Sequence, residues 1–194
     1  MDETPVIRKL DPSQLEAASN ALIMGFSSDP FQRWLMPDPT IYYKNFKKWT
    51  INTCKQSFLE EGIYGDKNNY GTAVWFPPGY DIDFTNISET FKDIPKDRIE
   101  EAFKMFEELG ENRLNDAWYL EYLAVDPSKQ GSGLGSLILK ESLKVIDELG
   151  EAAYLESSNP KNMSLYERFG FRFLKKIQVG SSPELNTMFR QPKK

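Results

Sequence analysis

Apolar side chains recur along the chain in two patterns, the three-to-four-residue spacing of amphipathic helices and the short apolar runs of buried strands. The helical spacing covers residues 12–25, 41–61, 95–110, 134–149 and 162–169. Most of these segments begin at proline or end at glycine, as helices do. The strand-like runs, rich in β-branched and aromatic residues, are 6–10, 63–66, 70–76, 118–125, 152–156, 171–179 and 185–190. The pattern therefore predicts an α/β protein.

The order of the elements indicates how the sheet is built. Strand 118–125, a glycine-rich turn, helix 134–149 and strand 152–156 form a predicted βαβ unit with two parallel strands. The last two strands are predicted to be antiparallel, so the sheet is mixed. Residues 80–115 separate two strands of this sheet, and we interpret them as an insertion that covers the active site.

Residues 26–39 mix large apolar side chains with prolines. Prolines fix the shape of a packed core loop and of a pocket wall alike. Both interpretations of this segment stay open.

Length and composition fit one domain over residues 1–194, with a hydrophobic fraction of 40%. No apolar run approaches the roughly twenty residues of a membrane span. The acidic N-terminal residues are followed by no apolar core, and the single cysteine excludes an internal disulfide. We therefore expect a cytoplasmic protein without a membrane partner.

The absence of histidine excludes Ser-His-Asp and Cys-His catalysis and most metal sites, so we expect no metal. General acid–base chemistry is left to Asp, Glu, Tyr, Lys or water. The 29 acidic residues exceed the 24 basic ones, which argues against a nucleic-acid partner. A mild negative field favours a cationic substrate.

Residues 130–136 form a turn that opens helix 134–149, with glycines at 131, 133 and 135. Backbone N–H groups and the helix dipole can bind phosphate there without a lysine. A flexible surface turn is one alternative. A dinucleotide-binding turn is another, with Glu156 about twenty residues on as the ribose-binding acid. However, Ser136 stands where that motif needs glycine or alanine.

Two motifs in this order resemble the GNAT superfamily of acetyl-CoA-dependent N-acetyltransferases. Gln130-x-x-Gly133-x-Gly135 follows Val-Asp-Pro, and Asn159, Asn162 and the run 165–171 come about thirty residues later. Residues 71–79 and 29–31 resemble the puromycin N-acetyltransferase-like branch. The resemblance implies a GNAT-like three-layer α/β fold. It has a mixed sheet of six or seven strands, helices on both faces and splayed parallel strands at the acyl-CoA site.

The resemblance also implies a function. It predicts acetyl transfer from acetyl-CoA to a primary amine of a small molecule, by direct attack in a ternary complex. Alternatives are a peptide or protein N-acetyltransferase and a non-catalytic acyl-CoA-binding protein. The protein is expected to be a monomer or homodimer. The predicted coenzyme A contacts are Leu123, Ala124, Val125, Gln130, Gly131, Ser132, Gly133, Leu134, Gly135, Ser136, Asn159, Asn162 and Tyr166.

Tyr166 is the predicted general acid, because a phenol can donate a proton to a departing thiolate. Asn162 lies one helical turn earlier and faces the same way. The alternative is a core aromatic that packs with Phe169. Leu123 or Ala124 is predicted to offer a backbone N–H to the oxyanion.

Glu121 is the predicted general base, and Glu156 a substrate contact, since both are acids in otherwise apolar strands. Strand alternation places Tyr119, Glu121 and Leu123 on one face. A structural hydrogen bond or a solvent-facing side chain is the alternative role for both acids. The predicted aromatic walls of the acceptor pocket are Phe31, Trp34, Trp75 and Tyr119, for each of which ordinary core packing is the alternative.

Overall fold

A mixed seven-stranded sheet with the order β1-β2-β3-β4-β5-β7-β6 organises the protein. The computed structural model describes residues 5–193, so the first four residues of the acidic N-terminal segment, used above to expect a cytoplasmic protein, lie outside it. The strands are β1 (Ile7–Lys9), β2 (Ile63–Asp66), β3 (Gly71–Phe76), β4 (Ala117–Val125), β5 (Ala152–Ser157), β6 (Arg172–Ile177) and β7 (Leu185–Arg190). β4 and β5 pair in parallel and the other pairs are antiparallel. The predicted mixed sheet and βαβ unit are thus confirmed.

Helices cover both faces of this sheet. They are α1 (Leu15–Gly25), α2 (Pro30–Leu35), α3 (Pro39–Leu59), α4 (Lys96–Asn112), α5 (Leu134–Glu148) and α6 (Met163–Arg168). Along β3, Val74 belongs to a core cluster shared with α1 and α3, whereas Trp75 belongs to a second cluster shared with α5. The predicted three-layer arrangement is therefore confirmed. No helix within residues 5–193 is long and apolar enough to cross a membrane.

Four Asp-Pro dipeptides start helical segments, at residues 11, 29, 38 and 126. In each, the aspartate side chain accepts a backbone N–H of the first turn and the proline supplies a pre-set φ. Asp29 thus starts α2 by accepting from the N–H of Gln32 at 3.0 Å. The segment 26–39, expected as a loop or pocket wall, therefore contains a helix.

Helix α4 ends later than predicted. The sequence pattern placed its end at Gly110, whereas the helix continues to Asn112.

A β-bulge interrupts β4 at Glu121. Val74 pairs with Tyr122 and Trp75 pairs with Leu120, which leaves Glu121 without a partner on β3. An extra residue reverses the alternation of side chains beyond it. Consequently Tyr119 packs on the first core cluster and Leu123 on the second. The prediction that both share one face with Glu121 is wrong.

The parallel strands part beyond the bulge. The ladder between β4 and β5 runs from Ala117–Ala152 to Leu120–Leu155 and stops there. Yet β4 continues to Val125 and β5 to Ser157. Backbone groups of β4 on this side are left without a strand partner, as the resemblance implied.

Gly25 lets the end of α1 close on β4. A Cβ at this position would lie 2.6 Å from the Cβ of Ala124 and 3.1 Å from the backbone nitrogen of Val125. We therefore expect Gly25→Ala to lower the free energy of unfolding by about 2 kcal/mol, because overpacking forces the helix away from the strand. Urea unfolding measures this loss. Gly110→Ala, in α4 with nothing within 4 Å, is the control and is expected not to destabilise the protein.

Candidate active site

A cavity of about 930 Å³ opens where β4 and β5 part. Its walls come from the two separated strand ends, the glycine turn before α5, the start of α6 and the segment between β3 and β4. Tyr166, Glu121 and Glu156 all line it. The structure thus brings the predicted catalytic residues and most predicted coenzyme A contacts to one place.

The glycine turn directs the start of α5 toward this cavity. Gly131 and Gly133 have φ values of 77° and 87°, and Gly133 is the residue that precedes the first turn of α5. No side chain caps this helix. The N–H groups of residues 134–136 have no acceptor within the helix, because the first turn has no preceding carbonyls. These three amides and the helix dipole form a site for an anion.

Two residues next to these amides already donate hydrogen bonds within the protein. The N–H of Ser132 donates to the Lys129 carbonyl at 3.3 Å, so this amide differs from the free group that the sequence predicted. The Gln130 side chain donates to the Val125 carbonyl at 3.1 Å. Gln130 therefore fixes the turn to the end of β4 instead of presenting its amide to a ligand.

Tyr166 lies in α6 and is 7% exposed. Its ring packs edge-on against Phe171, with centroids 6.0 Å apart. Burial, with the negative charge of Asp29, raises the pKa of the phenol well above its ordinary value. Tyr166 therefore stays protonated at neutral pH, and its hydroxyl can donate to a neighbouring group.

The two asparagines before α6 differ in what their side chains do. The Asn159 carboxamide oxygen accepts from the N–H of Lys161 at 3.1 Å and so starts the helical turn at 160–162. The Asn162 side chain makes no such capping bond at the start of α6. Both residues line the cavity.

Glu121 and Glu156 form an acidic pair where the strands part. Burial raises the pKa of Glu156 to about 7; a hydrogen bond from Tyr119 opposes the shift, and the negative charge of Glu121 adds to it. Burial also raises the pKa of Glu121, opposed by hydrogen bonding to Tyr119 and by the positive charge of Arg113. Glu156 therefore exchanges its proton close to neutral pH, as a general base must.

Two of the four predicted aromatic walls line the cavity. Phe31 and Tyr119 do so. Trp75 is fully buried in the cluster shared with α5, because strand alternation turns it to that face of the sheet. Trp34 instead donates its indole N–H to the Ser181 hydroxyl at 3.2 Å. The prediction that Trp34 and Trp75 line the pocket is therefore wrong. Trp75 packs in the core, and Trp34 forms a hydrogen bond with Ser181.

Two residues at the site had no predicted role. The Arg113 guanidinium lies 4.0 Å from the centroid of the Tyr119 ring and faces both glutamates. Asp29 is 8% exposed and its carboxylate accepts from Gln32 and from the Ser158 hydroxyl. The Asp-Pro pattern could have identified Asp29 as a cap, but no local pattern marks Arg113.

Metal ligands are not grouped at this site. Within residues 5–193 no cluster of three or more His, Cys, Asp or Glu side chains could hold a metal ion.

Known proteins resemble this chain in sequence and in fold. Residues 100–173 match the family model of the acetyltransferase (GNAT) domain. An uncharacterized N-acetyltransferase of Schizosaccharomyces pombe is 32% identical over 83 residues, which are 41% of this chain and 34% of the yeast protein. The match therefore spans about a third of that relative.

Two solved structures share the fold over nearly the whole chain. One is described as histone acetyltransferase HPA2 and related acetyltransferase, from Corynebacterium glutamicum, with a TM-score of 0.69 and 21% identity over 99% of this chain and 98% of that one. The other is arylalkylamine N-acetyltransferase 2 of Aedes aegypti, with a TM-score of 0.69 and 12% identity over 98% of this chain and 100% of that one.

None of these three is named a puromycin N-acetyltransferase, so that branch stays a prediction. The matched segment holds β4, the glycine turn and Tyr166, the same residues that line the cavity. The part of this chain that matches the acetyltransferase (GNAT) domain is therefore the part that builds the centre of the cavity.

Proposed function

We propose that this protein transfers an acetyl group from acetyl-CoA to a primary amine of a small molecule, by direct attack in a ternary complex. One observation carries the proposal. The cavity joins a helix N-terminus suited to a diphosphate, a protonated buried phenol and a carboxylate that titrates near pH 7.

The chain's own groups fit coenzyme A. The amides of residues 134–136 would bind its diphosphate. The pantetheine arm has two amides and would lie along residues 123–125 in the place of a strand, since β5 does not pair with this part of β4. Asn162 would contact the arm from the turn just before α6.

The chemistry requires one proton acceptor and one donor. The amine gives a proton to the acidic pair, for which the pKa of about 7 favours Glu156 over Glu121. The amine nitrogen bonds to the carbonyl carbon as the carbon–sulfur bond breaks, with a backbone N–H of Leu123 or Ala124 beside the oxyanion. Tyr166 donates its proton to the departing sulfur and takes a proton back from solvent before the next turnover.

The segment 80–115 favours a small acceptor over a peptide. Its residues 82–113 contribute one wall of the cavity. We propose that this wall covers the acceptor and leaves no open groove for an extended chain.

Calorimetry with coenzyme A and a thiol-release assay with acetyl-CoA and a panel of amines test the proposal. We expect binding and amine-dependent thiol release, with the acetylated amine identified by mass. Binding without release would indicate a non-catalytic acyl-CoA-binding protein. Acetylation of peptides alone would indicate a peptide N-acetyltransferase, and absence of binding would refute the proposal.

Gly133→Ala is expected to weaken coenzyme A binding about ten-fold. The φ of 87° strains any residue with a Cβ, and relaxing that strain turns the amides of the first turn of α5. Calorimetry measures the loss. Gly150→Ala is a matched control, since Gly150 has a φ of 73°, open space around it and a position just beyond the other end of α5. Equal losses in both variants would show that strain alone, and not the position of the amides, weakens binding.

A further inference from the structure

The wall that residues 80–115 add to the cavity is rich in phenylalanine. Phe84, Phe91, Phe103 and Phe106 all line the cavity, and Phe31 of α2 lies beside them. The Phe106 and Phe31 rings meet edge to face with centroids 6.0 Å apart, and those of Phe103 and Phe91 do so at 5.3 Å. The two ring pairs thus join α2, residues 85–93 and α4 in one apolar wall of the cavity.

Much of this surface is still in contact with solvent. Phe84, Phe103 and Phe106 are 44%, 49% and 38% exposed. Apolar rings that stay accessible inside a concave site gain from contact with an apolar ligand, because the contact removes both surfaces from water. This wall therefore fits a bulky apolar group.

The charges of the site define where a cation can lie. Glu121 and Glu156 sit where the strands part, and they suit one amine. Both Asp29 oxygens already accept hydrogen bonds. From residues 80–115 the only charged side chain that lines the cavity is Arg113, a cation. A second ammonium group on the acceptor would meet no carboxylate from residues 80–115, and Asp29 already accepts two hydrogen bonds.

We propose that the acceptor is a primary amine that carries an aromatic group and no second positive charge. The ring lies against Phe103 and Phe106 and the nitrogen lies beside Glu156. This inference rests on the proposed acetyl transfer and specifies its substrate class.

Three amines with acetyl-CoA test the substrate class: 2-phenylethylamine, n-butylamine and 1,4-diaminobutane. We expect kcat/KM for 2-phenylethylamine to exceed that for n-butylamine by at least about ten-fold, with 1,4-diaminobutane below both. The same assay with octanoyl-CoA and n-butylamine asks whether the wall holds a long acyl chain instead.

The Phe103→Ala variant tests whether the phenylalanine wall causes the preference for 2-phenylethylamine. We expect it to raise the KM for 2-phenylethylamine about ten-fold while the KM for n-butylamine and the Kd for coenzyme A stay unchanged. Phe173→Ala is the matched control: Phe173 is 48% exposed on β6 and lies outside the cavity lining. It is expected to leave every constant unchanged.

The outcomes separate this inference from the proposed function. Three results would overturn the inference but retain acyl transfer. They are equal kcat/KM values for the three amines, a preference for 1,4-diaminobutane, and faster turnover of n-butylamine with octanoyl-CoA than with acetyl-CoA. Coenzyme A binding without turnover of any of the three amines overturns the inference and also contradicts the proposed acetyl transfer. Loss of the aromatic preference in Phe103→Ala but not in Phe173→Ala supports the inference.

Discussion

The Tyr166→Phe variant is expected to lose at least about ten-fold in kcat while its affinity for coenzyme A stays near that of the wild type. The hydroxyl is the only group removed, and the ring that packs against Phe171 is kept. Because the phenol is protonated at neutral pH, its loss removes a proton donor without changing the charge of the cavity. Single-turnover kinetics with acetyl-CoA and calorimetry with coenzyme A measure the two quantities.

Tyr64→Phe provides the matched control. Tyr64 is 8% exposed, close to the 7% of Tyr166, but it lies in β2 and outside the cavity lining. Its variant is expected to turn over at the wild-type rate. Equal kcat values for Tyr166→Phe and wild type would leave Tyr166 as a packing residue of α6, and a parallel loss of coenzyme A affinity would assign it to binding.

The parts of the site that depend on one local segment could be predicted from the sequence. The glycine turn before α5 needs only its own positive φ values and the helix that follows. The capped starts of the helices need only an aspartate and the proline after it. In each case the interactions join residues a few positions apart, so the local pattern contains the whole cause.

The parts that failed depend on pairing between distant segments. The bulge at Glu121 arises from the register of β4 on β3, more than forty residues away, and it reverses the faces of Tyr119 and Leu123. Trp34 contacts Ser181 across the fold, and Arg113 faces Glu156, which lies more than forty residues further along the chain. The contacts of an aromatic or charged residue in a strand or turn therefore cannot be predicted from the sequence until the strand register is known.

Glu156→Gln is expected to lower kcat about hundred-fold at pH 8 and to abolish the rise in activity near pH 7. In the wild type, activity should increase as pH rises through the pKa of about 7, because only the ionised carboxylate accepts the amine proton. The pH dependence of kcat for both proteins measures this. Glutamine keeps the shape of the side chain and can still accept the Tyr119 hydrogen bond.

The same ionisation predicts how stability changes with pH. A raised pKa in the folded state means that folding favours the protonated carboxyl, so ionisation costs stability as pH rises from the ordinary value of 4.5 to about 7. Glu156→Gln removes that cost. Its free energy of unfolding should therefore increase relative to the wild type between pH 5 and pH 8, while its activity falls.

Glu121→Gln decides which member of the pair is the base. The negative charge of Glu121 raises the pKa of Glu156, so its removal should move the activity rise to lower pH while the plateau value of kcat is largely kept. If Glu121 is the base, the two variants exchange behaviour: Glu121→Gln loses turnover and Glu156→Gln shifts the rise. An unchanged profile in both variants would contradict any role for this pair as proton acceptor and would leave solvent to take the amine proton.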